Sequence, residues 1–359
     1  MDLSQLTLQV RRNCDVSDAH HAGMFSVCGL ALRLRDLFKW ERGLRPWEEG
    51  DSSGLLDWIG AREERWETLA QADYETLSVG GRLLDPFDAE AVNAALGSAG
   101  LWYGAGYARG LKPVFFLAEV EESAEVDGCR VVAVGRELAR DLLTLPALSQ
   151  GPLILLRRDA AARALWDQLA FVTPSARRAV DAALAACGIG DRSPGALRLN
   201  FDRLLRVQEE LHLHHELGEI RETALGHELF REIVAAFPLS RVELVVRRVK
   251  DVLADTHPAG PLLRFCRTCS TAGVALFLAG CDRATRAMFP ELADAANAVL
   301  GGAGWAAAER VLSQVRSAAL AHAAAITEAC AGGVAAARLD ALVEDRFGAA
   351  LGRLPQEPE

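Results

Sequence analysis

At 359 residues the chain exceeds the usual single-domain size, so one large domain or two modest ones are expected. Half of the residues are hydrophobic and a quarter charged, enough to bury a sizeable core. A net charge of −10 argues against nucleic acid as a partner, because phosphate binding needs a basic field.

The opening residues lack a basic region followed by an apolar core, so no secretory signal is read. The longest apolar run, Gly273 to Gly280, is too short to cross a bilayer. A cytoplasmic protein with no membrane partner is expected, with its eight cysteines as reduced thiols. Lysine is nearly absent beside arginine, which reads as base composition rather than function.

Residues 1–110 read as an N-terminal helical region. Asp18 has the chemistry of an N-cap for a helix through Met24, Val27, Leu30, Leu34 and Phe38 that stops at Gly43. A polar loop at 51–54 precedes a helix from Leu55 to about Ala70, and a third covers Asp88 to Leu96. Glycines 97, 100, 104, 106 and 110 then read as a loop-rich stretch.

The texture changes at Pro113. Val114–Val120 is strand-like, Asp127-Gly128 is a turn, and Cys129–Val134 reads as the partner strand, with 152–156 as a third segment. Residues 111–157 therefore form a small β element. From 158 to 352 a C-terminal helical domain is expected, with segments at 159–171, 175–187, 198–237, 240–254, 261–280, 290–300, 303–331 and 334–351. The tail 353–359 is expected to be disordered. The fold class expected is mainly α: a multi-helix, bundle-like architecture with a β-hairpin or short sheet near the middle of the chain.

Four of the eight histidines fall between His212 and His227, interleaved with acids. At about 100° per residue, Glu209, His212, Glu216, Glu219, Thr223 and His227 share one stripe of a helix over 198–237. Imidazole nitrogens and carboxylate oxygens along one line suit a divalent metal. Leu204, Val207 and Leu211 make one apolar side and Leu213, Leu217 and Ile220 a second, so the helix is expected to be mostly buried. His215-Glu216-Leu217-Gly218-Glu219 approaches a zinc-protease helix, with Glu219 where the second histidine would stand, which favours iron or manganese over zinc.

The leading expectation is a metal-dependent hydrolase or oxidoreductase with iron, manganese or zinc held by His212, His215, Glu216, Glu219 and Asp255. Glu209 would act as ligand or base, and His20 or His21 would come from the acid- and imidazole-rich run 13–21. Acid/base chemistry without metal is a further reading of the same groups. The competing reading is structural: a non-catalytic scaffold whose stripe docks a partner or a second copy in a homo-oligomer. A third is a thiol redox pair, Cys266 and Cys269, set against two cysteines simply packed on a buried helix.

Asn13-Cys14-Asp15-Val16-Ser17-Asp18-Ala19, Gly23, Trp40-Glu41 and the block His214–Glu219 resemble an uncharacterised bacterial protein family of unknown function. The resemblance covers most of the chain and implies no particular activity, cofactor or fold.

Overall fold

The computed structural model describes residues 2–352. The expected tail, 353–359, lies outside the described residues. The first half builds a curled sheet with helices against it. Helix α1 (Leu3–His21) is capped by Asp2, whose side chain accepts from the Gln5 amide. Asp18 therefore lies inside a helix and does not start one, which corrects the cap reading. The chain turns at 22–26, and Ser26 caps α2 (Val27–Glu41) through the Gly29 amide. Asp51 caps α3 (Ser52–Leu69). A two-stranded ribbon, β1 (Leu77–Val79) and β2 (Arg82–Leu84), leads to α4 (Ala89–Leu96).

The glycine-rich stretch expected to be loop is instead a strand, β3 (Leu101–Tyr107). Gly104 is there for packing: a Cβ on it would collide with the Phe116 ring of the neighbouring strand. Strands β4 (Pro113–Val126) and β5 (Cys129–Arg140) form the expected hairpin, longer than its apolar cores suggested. Asp127 and Gly128 at the turn have φ of 50° and 78°, as a two-residue hairpin turn requires. After β6 (Ala147–Gln150), β7 (Leu153–Arg157) runs parallel to β5, giving the order β3-β4-β5-β7-β6. Leu6, Val10 and Cys14 of α1 pack with Val92 and Leu96 of α4 and with Tyr103, Phe115 and Leu117 of the sheet.

The second half is helical: α5 (Arg158–Ala170), α6 (Arg177–Ala186), α7 (Pro194–Arg221), α8 (His227–Ala236) and α9 (Arg241–Asp255). There follow α10 (Pro261–Thr268), α11 (Thr271–Gly280), α12 (Arg283–Met288), α13 (Glu291–Leu300), α14 (Trp305–Ala329) and α15 (Ala336–Leu351). A mainly α fold with a small sheet in mid-chain is thus what the sequence folds into. Two expected helices are broken. The 198–237 helix ends at Arg221 because Glu222 is extended and its carboxylate takes the amides of Thr223 and Ala224. The 261–280 helix is interrupted at Cys269, which adopts a left-handed φ of 52°. The main core of this half gathers α8–α10 and α12–α15 with Phe277 of α11, around Val245, Val249, Leu253, Leu312 and Ile326.

Helix α7 touches both halves. Leu213, Leu217 and Ile220 pack on Val131, Ile154 and Leu156 of the sheet. Leu197, Phe201 and Leu204 pack with α5, α6 and α11. Its crossing with α9 is close because Gly218 has no side chain; a Cβ there would collide with the backbone carbonyl of Ala254. Gly218→Ala is therefore expected to cost about 3 kcal/mol through backbone displacement, although alanine favours helix. Urea unfolding of the variant checks this, and unchanged stability would show that the crossing relaxes freely.

Candidate functional site

The expected stripe lies where α7 meets the sheet, α9 and α10. Ser193 caps the helix through the Ala196 amide with Pro194 in the first turn, and apolar residues on two sides draw it inward. The polar groups between those sides are thereby held against other elements, and each named histidine or acid below has a protein group facing it.

Glu209 accepts from Arg158 Nε at 3.0 Å, and the same guanidinium holds Glu121 and Glu122 of β4 at 3.0 and 3.1 Å. Glu210 accepts from Arg264 of α10 at 3.0 Å. His212 Nε2 lies 3.1 Å from Gln208 Nε2, and His214 Nδ1 lies 3.0 Å from the Ala259 carbonyl. His215 Nδ1 meets Asp255 Oδ1 of α9 at 2.7 Å, and its Nε2 is 3.9 Å from Glu219 Oε2. Glu219 is ion-paired with Lys250 of α9, whose ammonium also sits 4.4 Å from the Phe230 ring centroid.

Burial sorts the protonation states. It lowers His212 to about 4, with a smaller contribution from His215, so His212 is neutral at pH 7. Burial alone would lower His215 as well, but Asp255 overrides it and holds His215 well above the ordinary imidazole range. Glu216, 6% exposed, is raised to about 7 by burial, against the pull of His215. Burial also works to raise Glu219, yet Lys250 and His215 hold it below the usual carboxylate range.

His215, Glu216, Glu219 and Asp255 are thus brought together, with Lys250 as the group that motif reading missed. Glu209 and His212 lie further up the helix with other partners. His227 is on α8 rather than on the stripe's helix, although its charge reaches Glu219. His20 and His21 belong to the other half: His20 stacks edge-on against Tyr74, with ring centroids 6.0 Å apart, and His21 Nδ1 is 2.9 Å from the Ser17 carbonyl. Among the described residues no group of three or more His, Cys, Asp or Glu is placed to hold a metal ion.

The acid-rich run of α1 is buried and paired. Asp18 Oδ1 lies 3.0 Å from Lys112 Nζ, both essentially inaccessible, and the Asp18 carboxylate also receives the Leu142 amide. Lys112 donates to Ser17 Oγ at 2.7 Å, and Asn13 exchanges hydrogen bonds with Glu75 at 2.9 and 2.7 Å. Asp15 is ion-paired with Arg62 and, at 2.6 Å, with Arg65. These bonds tie α1 to the sheet and to α3.

The two cysteines of the C-x-x-C unit sit differently. Cys266 is buried on α10 and burial pushes its thiol up to about 11, while Cys269 is exposed at the helix end. A thiol that stays protonated is a poor nucleophile.

Residues 5–157 match the N-terminal domain, and residues 162–346 the C-terminal domain, of a family of unknown function (DUF6866). No curated protein and no solved structure matches the chain. No helix among the described residues is long and apolar enough to cross a membrane.

Glu216 gives the seam a pH dependence of fixed sign. Its folded pKa is raised from 4.5 to about 7, so its stabilising contribution is full below pH 4.5 and is lost as pH rises through 7. Comparing pH 5 with pH 8, wild type should lose up to about 3 kcal/mol more stability than Glu216→Gln. Parallel curves in denaturant unfolding across this range would show that Glu216 ionises freely in the folded protein.

Proposed function

The chain belongs to the DUF6866 family, and we propose that it works as a non-catalytic interaction protein, with the histidine–glutamate stripe of α7 serving as the lock between its two halves. What carries this reading is Lys250: the carboxylate best placed to recruit a metal cation, Glu219, already has a protein cation on it.

The remaining donors point the same way. His215 has Asp255 on one ring nitrogen, and Glu209 shares a guanidinium with two carboxylates of the sheet. A metal at His215 and Glu219 would have to displace an ammonium that is itself largely buried, at the cost of leaving that charge unpaired. The stripe is occupied within the chain, by its own sheet and its own helices α9 and α10.

Two measurements test this. Elemental analysis of protein purified without an affinity-metal step, and again after incubation with iron, manganese or zinc, should find no stoichiometric metal. One equivalent of any of the three, removed by Glu219→Gln, would overturn the reading. Asp255→Asn should cost about 3 kcal/mol, because it breaks a largely buried ion pair and burial then drives the His215 imidazole to its neutral form. Both halves should then unfold together at lower denaturant. Unaltered stability would remove the seam as a lock.

A further inference from the structure

Two adjoining cavities of about 480 and about 570 Å3 lie among α1, α2, α3, α5 and the sheet, on the side of the molecule that carries Trp40. Arg11, Trp40 and Glu41 line both, so the two make one trench. Its size suits a small molecule. Eight arginines and five carboxylates line it, an excess of positive charge on a chain of net charge −10.

Most of those charges are engaged. Arg62 bridges Asp15 and Glu41, and Asp15 also holds Arg65 at 2.6 Å, so both carboxylates are already spent on those two arginines. Arg136, Arg158 and Arg163 each hold a carboxylate, at 3.0 and 3.3 Å for the last two. Two are different. Arg11 is exposed, donates Nε to the Leu138 carbonyl at 2.8 Å, and has no carboxylate in ion-pair contact among the described residues. Arg140 is 4% exposed, and its Nε and Nη1 have no hydrogen-bond acceptor. The carboxylates nearest to Nη1, Glu137 and Asp159, are 3.7 and 3.8 Å away, too far to accept.

Buried guanidinium nitrogens without acceptors are costly, and an oxyanion supplies the acceptor geometry they lack. Both guanidinium groups lie by the indole of Trp40, at 5.2 Å for Arg11 and 5.8 Å for Arg140 from its centroid. The trench therefore offers an aromatic ring with two cations close by it. Beside them Glu137 Oε2 is buried without a donor, which leaves an acceptor for a hydroxyl.

We propose that this trench binds a small organic oxyanion, bearing phosphate or carboxylate, with its charged group at Arg11 and Arg140 and its body against Trp40. This site is separate from the α7 seam, and its failure would leave the seam reading standing.

Isothermal titration calorimetry of the full chain at low ionic strength, with inorganic pyrophosphate, citrate and phenyl phosphate as probes, tests it. At least one probe should bind saturably with one-to-one stoichiometry, and the probe that binds distinguishes phosphate from carboxylate. Arg11→Ala, an exposed change that spares the fold, should weaken binding at least about tenfold. Trp40→Leu should weaken phenyl phosphate more than pyrophosphate. Arg346→Ala, an exposed arginine of α15, should change nothing. Absence of saturation with all three probes up to about 10 mM would overturn the proposal. So would binding that Arg11→Ala leaves intact.

Discussion

One constraint organises the molecule: α7 must bury two apolar sides at once. Leu213, Leu217 and Ile220 belong to the sheet, whereas Leu197, Phe201 and Leu204 belong to the helical half. The polar residues between them cannot turn to solvent without withdrawing one side, so they are carried into the joint. Desolvation then requires a partner for each charge. Arg158, Lys250, Asp255 and Arg264 come from α5, α9 and α10, the elements that have to be fixed relative to α7. Gly218 completes the arrangement, because only a residue without Cβ lets α9 come near enough to present Lys250 and Asp255.

The same economy shows in the lysines. The chain has three beside thirty-six arginines. Lys39 donates to the Pro46 carbonyl and pairs with Glu49; Lys112 is fully buried on Asp18; Lys250 holds Glu219. A compact ammonium on a flexible stem can enter a narrow buried position where a planar guanidinium, with five donors to satisfy, cannot. Lysine scarcity reads from the sequence as base composition, but each lysine that remains marks a buried or largely buried charge. That signal was available and was missed.

What could be read in the sequence was what local chemistry decides. The hairpin turn at Asp127-Gly128, the mainly helical class and the burial of α7 on two sides follow from turn residues and periodicity. What could not be read depended on contacts remote in sequence. The glycines of β3 look like loop until Phe116 is seen to fill the space over Gly104. Asp18 looks like a cap until Lys112, ninety-four residues on, is placed against it. Two members of the stripe, Glu216 and Glu219, do lie with the other expected ligands His215 and Asp255, but metal spacing on one helix says nothing about which cation the opposite helix brings.

Charge balance at the seam follows from these placements. Protonated His215 faces Asp255, Lys250 faces Glu219, and burial keeps His212 neutral, so those groups nearly cancel. Glu216 is the remainder, and its pKa of about 7 reflects burial resisting a further negative charge there. A divalent cation would add two positive charges where only one titratable acid is unspent. The seam is therefore balanced as it stands, to within about one proton near neutrality. The trench beside Trp40 is the reverse case, a place where positive charge and donor capacity exceed what the chain supplies to meet them. Where a fold leaves buried donors unmet, an outside ligand has something to add; where it has met them, as along α7, the interactions serve the fold.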